Sequence, residues 1–208
     1  MKVSDKGIVE IAEHEGIVPA PYKDSKGIWT FGIGHTHAAG GLDPREMNSA
    51  MPMGAALETA IDRAIRQFDV DLDKYEDRVN RAIKVPLKQY EFDALVSFDF
   101  NTGGIYRADL TDAINRGDKD GGEFMGWLQP PEIRKRRTAE MRLFQTGDYD
   151  ANGTMVPIWK TDGKGNLRGL SGQMSGKAIL ERMNRNVVTK PKLKASGGWF
   201  IKFLKGLF

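Results

Sequence analysis

Glu15-Gly16, and soon after it Tyr22-Lys23-Asp24-Ser25-Lys26-Gly27-Ile28-Trp29-Thr30-Phe31-Gly32-Ile33-Gly34-His35, is the stretch that decides the fold. Ile8 and Ile11 lie seven and four residues before Glu15, so a helix puts all three on one stripe, and Gly16 suits its C-cap. Glu15 is therefore expected to point toward the core side, among apolar side chains. Such a setting is how a general acid is kept protonated near neutral pH. Asp24-Ser25-Lys26-Gly27 reads as a hairpin turn, with aspartate opening it and glycine supplying a positive φ. In the strand that follows, Trp29, Phe31 and Ile33 share one face, and Ile28, Thr30, Gly32 and Gly34 share the other. The second face has little bulk, as expected where a ligand or another backbone comes close.

Two carboxyls, one at a core-facing helix end and one in a polar turn, suit an acid and base pair for glycoside hydrolysis. Glu15-Gly16, Tyr22-Lys23-Asp24, Gly27, Thr30 and Gly32-Ile33-Gly34-His35 together resemble the phage-type lysozymes, glycoside hydrolase family 24. Two further stretches carry the resemblance: Phe92-Asp93-Ala94-Leu95-Val96-Ser97-Phe98-Asp99-Phe100-Asn101-Thr102-Gly103, and Arg136-Arg137-Thr138-Ala139-Glu140 with Leu143-Phe144 and Gly147. The motifs span about residues 4 to 147. The resemblance implies a mainly helical α+β, two-lobed fold: a small N-terminal β-hairpin lobe, a long connecting helix and a helical C-terminal lobe, with the cleft between the lobes.

The resemblance also implies a reaction. Glu15 would protonate the leaving oxygen of the β-1,4 bond between N-acetylmuramic acid and N-acetylglucosamine in peptidoglycan. Asp24 and Thr30 would hold a water on the opposite face of the sugar, giving inversion. Thr36, Phe100, Asn101 and Asp109 fall at or near substrate-contacting positions of the family. No metal or organic cofactor is required. Two alternatives stand beside this reading: a lytic transglycosylase, which makes an anhydro product without water, and a membrane-permeabilising effector carried by an inert lysozyme-like body. The Asp24 and Thr30 pair argues against the first, and the intact motif against the second.

Composition bounds the rest. The chain has 208 residues, 28% charged and 40% hydrophobic, and no cysteine, which excludes disulfides and thiolate chemistry. His35 and His37 stand one residue apart without a third ligand, so His35 is expected to be structural, held by Asp69 or Asp71. Net charge is +3, yet residues 186–208 carry five lysines and no acid, leaving −2 for residues 1–185. The basicity belongs to the tail, and a nucleic-acid-binding body is not supported. The N-terminus lacks an apolar signal segment, so synthesis in the host cytoplasm, a monomeric state and passage to the wall through a separate membrane lesion are expected.

Along the chain, Ser4 caps a first helix, and residues 54–83 show a long amphipathic helical period before Pro86 interrupts. Residues 87–101 read as a core helix of the larger lobe. Asp109 is expected to cap a helix over 109–116 that Gly117 closes. Pro130-Pro131 precedes a helix over 132–145 whose basic run Arg134-Lys135-Arg136-Arg137 reads as a solvated face. Asp148, Asp150, Asn152 and Gly153 imitate half a calcium loop, but Trp159 stands where its acidic twelfth ligand is needed. Residues 148–170 suit a small hairpin or ordered loop. A helix over 171–185 would use Ser171 as cap and bury Met174, Ala178, Ile179 and Met183. These divide the chain into a catalytic domain over 1–185, with 148–185 as an unassigned extension, and a tail over 186–208. The tail pairs a basic linker with ten residues whose seven apolar side chains cover an arc of roughly 200°. Trp199, Phe200, Lys202, Phe203, Lys205 and Leu207 are expected to contact an anionic membrane or lipopolysaccharide surface, with docking on the body as the alternative.

Overall fold

Ser4 opens helix α1 (Asp5–Glu15) by accepting a hydrogen bond from the Gly7 amide at 3.1 Å, and Gly16, at φ +69°, closes it by donating to the Ala12 carbonyl. The structure is a computed structural model that describes residues 1–150 and 155–188, with side chains to residue 183. The tail contacts expected from Trp199 to Leu207, and the positions Asn152 and Gly153, lie outside the described residues.

Strand β1 (Val18–Lys23) pairs antiparallel with β2 (Trp29–Gly32), which pairs with the short β3 (His35–Thr36). Asp24 builds the turn between β1 and β2, its Oδ1 accepting from the amides of Lys26 and Ile28, each at 2.8 Å. Phe31 and Ile33 are fully buried, but so are Thr30 and Gly32 on the sparse face. The reason is a second backbone: a Cβ on Gly32 would lie 3.0 Å from that of Ala64 on the next helix. His35 is buried, with Nδ1 2.8 Å from Asp71 and Nε2 2.7 Å from the Leu42 carbonyl. A carbonyl and a carboxylate both accept, so the ring donates from both nitrogens. Burial is the largest single influence and disfavours that charge, yet the hydrogen bonds to Asp71 and the Leu42 carbonyl and the Asp71 charge together outweigh it and leave the His35 pKa raised. Asp71, rather than Asp69, is the partner.

Helix α2 (Ala55–Ala82) spans 28 residues, about 42 Å at 1.5 Å per residue, and connects the lobes. Its buried stripe is Ile61, Ala64, Ile65, Phe68, Leu72 and Val79, with Leu57 and Tyr75 half-buried beside it. Helix α3 (Gln89–Thr102) is buried from Glu91 through Phe100, so it runs through the centre of the larger lobe rather than over its surface. Its polar residues are all partnered: Asp93 accepts from Tyr149 at 2.6 Å and from the Ser4 amide, and Asp99 accepts from Arg78 and the Ile105 amide. Phe98 meets Phe124 and Trp127 edge-on at 5.5 and 5.4 Å.

Helix α4 (Asp109–Asn115) starts one residue earlier than a capping Asp109 requires. Ala108 occupies the N-cap position, and Asp109 lies exposed in the first turn, where its charge faces the positive end of the helix dipole. Helix α5 (Arg134–Thr146) ends at Gly147. Its basic run is only half solvated: Arg134 and Lys135 are exposed, but Arg136 and Arg137 are buried. They share a stripe with Glu140, Leu143 and Phe144, which turns them inward.

The extension forms a hairpin of β4 (Met155–Thr161) and β5 (Leu167–Ser175), then helix α6 (Gly176–Val188). The helix begins five residues later than expected. Ser171 is exposed within β5, and it is Ser175 whose Oγ accepts from the Ala178 amide at the helix start. Met174 belongs to the strand, yet it is buried together with Ile179 and Met183. Trp159, at the failed calcium position, lies in β4. No described helix is long and apolar enough to cross a membrane.

Candidate active site

Glu15 is the last residue of α1, 17% exposed in its side chain, and borders a cavity of about 410 Å³ that Asn101, Glu132 and Arg136 also line. One oxygen, Oε1, accepts from the Arg136 guanidinium at 2.5 Å. The other, Oε2, lies 2.9 Å from where a Cβ on Gly34 would stand, and the same Cβ would meet the Phe100 ring at 2.9 Å. Any side chain at position 34 would therefore press into the carboxylate and the aromatic ring together. Gly34 also takes φ +70°, so both space and backbone call for glycine. The immediate neighbour of Glu15 is a cation rather than the apolar wall expected from its stripe.

That cation is one end of a buried network. Arg136 Nε donates to Glu140 at 2.9 Å and Nη2 to the Ser97 carbonyl at 3.2 Å, while the Ser97 hydroxyl donates to Glu140 at 2.7 Å. Arg137 pairs with the second oxygen of Glu140, donates to Asn101 Oδ1 at 2.6 Å and lies over the Phe98 ring. Two arginines and two glutamates balance, which is what makes such burial tolerable. Burial lowers the Arg137 pKa to about 10 against the pull of Glu140. For Arg136, Glu15 and Glu140 together outweigh burial, and its pKa is raised.

The hairpin supplies the other candidates. Tyr22 is buried beside both Glu15 and Asp24, and burial first, then the two negative charges, push its hydroxyl pKa well up. Thr30 donates to the Ile28 carbonyl at 3.1 Å and pairs across the sheet with Thr36, so these two candidates are neighbours. A second cavity, of about 500 Å³, lies between Ser25 and Lys26 of the turn and Gln129, Pro130 and Glu132 of the helical lobe. Glu132 borders both cavities, one beside Glu15 and the other beside the turn that carries Asp24.

A model of the phage lysozyme family matches residues 12–140, more than half of the chain. The chain belongs to the phage lysozyme family. An endolysin of Acyrthosiphon pisum secondary endosymbiont phage 1 is 32% identical over 161 residues, which cover 70% of this chain and 99% of that protein. Among solved structures, the endolysin from Escherichia coli O157:H7 phage FAHEc1 has TM-score 0.59 and 28% identity, covering 72% of this chain and 96% of that one. The muramidase domain of SpmX from Asticaccaulis excentricus has TM-score 0.53 and 28% identity, covering 70% and 98%. As a phage lysozyme this chain is a lysozyme-type, cell-wall-lysing hydrolase with the two-lobed lysozyme fold.

Of the candidate residues, Glu15 and Phe100 meet at Gly34, Asn101 joins them through Arg137, and Thr36 lies opposite Thr30. Phe100 is itself buried, edge-on to Phe68, so little of its ring is available to a ligand. Asp109 has no described contact with this group. Sequence reasoning missed Arg136, Arg137 and Glu140 as parts of the site. The signal was there: Arg136, Glu140, Leu143 and Phe144 fall at i, i+4, i+7 and i+8, an inward stripe that the density of positive charge obscured.

Proposed function

We propose that this phage lysozyme hydrolyses the β-1,4 bond between N-acetylmuramic acid and N-acetylglucosamine of peptidoglycan with inversion at the anomeric carbon. The observation that carries the reading is the two-sided hold on Glu15. Arg136 fixes Oε1, and Oε2 is left against Gly34, where no side chain intrudes, in a carboxylate that lines the cavity. From there Glu15 gives its proton to the leaving glycosidic oxygen. Asp24 and Thr30, on the β1–β2 hairpin, orient a water, and Asp24 accepts its proton as it attacks the opposite face of the sugar. Thr36, Asn101 and Asp109 would contact the flanking saccharides, and Phe100 would back the site.

The scheme is tested on purified peptidoglycan. Mass spectrometry of the muropeptides should find reducing ends with no anhydro product, and NMR of fresh digests should show the α-anomer first. Anhydro products would mean a transglycosylase; the β-anomer first would mean direct attack by Asp24. Glu15→Gln keeps the shape and hydrogen bonding but cannot supply the proton, so turnover should fall at least about 10²-fold.

We further propose that the expected tail over 186–208, its first three residues being the end of α6, continues past that helix as a basic segment whose Trp199, Phe200, Lys202, Phe203, Lys205 and Leu207 engage an anionic membrane or lipopolysaccharide. The support is the sequence pattern, apolar over one arc with both lysines on the remainder. The protein would gather in the host cytoplasm as a monomer and reach the wall through a separate lesion. Removing residues 197–208 should spare activity on bare peptidoglycan and abolish killing of intact Gram-negative cells from outside. Equal loss on both substrates would rule the tail's role out.

A further inference from the structure

The β4–β5 hairpin lies after the stretch that the family model matches, yet it returns to the segment between the two proposed reacting carboxyls. Ile17, two residues past Glu15, donates from its amide to the Pro157 carbonyl at 2.8 Å and accepts from the Trp159 amide at 2.8 Å. At the other end of β1, the amide of Lys23, one residue before Asp24, donates to the Gly165 carbonyl at 2.8 Å. Between these anchors stand Pro19 and Pro21, which have no N–H to give. Of the odd positions from 17 to 23, the two with a donor therefore both give it to the hairpin.

Packing reinforces the two anchors. A Cβ on Gly16 would lie 2.7 Å from Trp159 Nε1 and 3.0 Å from its Cδ1, so the indole edge sits directly on the residue that ends the helix of Glu15. At the tip, a Cβ on Gly165 would lie 2.8 Å from the Trp29 ring, and Ser49 donates to the Gly163 carbonyl at 2.6 Å. The base of the hairpin is held as well. Gly176 packs against Val9 of α1, and Arg182 of α6 donates to Glu58 and Asp62 of α2, each at 2.8 Å.

We propose that the β4–β5 hairpin is a positioning device that sets the spacing of Glu15 and Asp24, with Trp159 as the positioning residue at the Glu15 end. This rests on the assignment of those two carboxyls as the reacting pair. A brace that merely stabilised the fold could grip the N-terminal lobe anywhere. This one runs beside β1 and places its backbone hydrogen bonds two residues after Glu15 and one residue before Asp24. Catalysis by a proton donor and a held water is sensitive to sub-ångström placement, and a 1 Å error can cost about 10²-fold.

The test compares Trp159→Ala, Trp159→Phe and a core variant of the helical lobe, Phe124→Leu, with each assay temperature set so that all three are folded and at a matched distance from their melting temperatures. On soluble peptidoglycan chains, Trp159→Ala should lose at least about 10-fold in kcat with KM within about twofold, and Trp159→Phe should recover most of the loss. Phe124→Leu should keep its kcat. Wild-type kcat in Trp159→Ala, or an equal loss in Phe124→Leu, would overturn the proposal. Should Trp159→Ala not fold, Trp159→Leu keeps apolar volume without the ring edge at Gly16, and a kcat unchanged from wild type in that variant would overturn it equally. Glu15→Gln in the same assay separates the two readings. If Glu15→Gln is inert while Trp159 variants are unimpaired, the brace fails and the acid assignment stands; if Glu15→Gln is active, the assignment itself fails.

Discussion

Helices α1 and α5 bring opposite charges to the same buried cluster, yet only one of them announces it in its sequence. α1 has a single carboxylate at its end on an otherwise apolar stripe, so Glu15 stands out. α5 has four consecutive cations, and two of them are buried while two are not. Adjacent residues on a helix sit about 100° apart, so a charge run always wraps partly around the axis. Which members turn inward is decided by the apolar residues one and two turns on, here Leu143 and Phe144. The lesson is that a run of like charge must be read by face, never as a block.

The sharpest way to break this comparison is to remove the charge balance. Glu140→Ala leaves Arg136 and Arg137 without their shared buried anion and should cost about 3–5 kcal/mol of stability by chemical denaturation. A loss under about 1 kcal/mol would mean that the pair is effectively solvated. The hairpin comes next. Asp24→Asn and Thr30→Val should both lower kcat, the first by about 10²-fold or more and the second by less, because one removes the proposed general base and the other a hydroxyl. The reverse order would move the water to Thr30.

His35 gives a pH-dependent contrast with the arginine cluster. Its folded pKa is raised above the ordinary 6.5, so its pairing with Asp71 stabilises fully below that value and is lost as pH climbs through the folded pKa. His35→Asn should therefore cost about 1–3 kcal/mol near pH 6, and the gap to wild type should narrow in alkaline solution. A gap that stays constant from pH 6 to pH 9 would show that the imidazole is held neutral. The smallest effect is expected on the exposed half of the basic run, where Arg134→Ala should change stability by no more than about 0.5 kcal/mol.

Much of the fold was legible, and the failures share a cause. The stripe of α2, the Ser4 cap and the turn at Asp24 follow from local pattern, and each is where the sequence puts it. The expected partner of His35 was Asp69 or Asp71 on α2, and the fold selects Asp71. The start of α6 was misplaced because Met174, Ala178 and Met183 fit a helical period, while β5 shows no alternation to mark it as a strand. Seven consecutive exposed positions, two of them glycine, read as loop, and pairing with β4 is what makes that segment extended. Of the candidate site, Glu15 and the β1–β2 hairpin were readable from motif and spacing. Arg136 and the return of β4 to Ile17 were not, since contacts so distant in the chain leave no local period.

The bridge between Ile17 and Ile158 joins positions about 140 residues apart. Chain closure over that distance is entropically costly and comes late, because non-local pairings must await the arrival of both partners. On a ribosome adding about 5–20 residues per second, Ile17 waits on the order of 10 s before its β4 partner is even synthesised. Glu15 and the Asp24 turn are thus made first and clamped last. A nascent chain, however far its helical lobe has folded, carries both carboxyls without the strand that holds their segment in place.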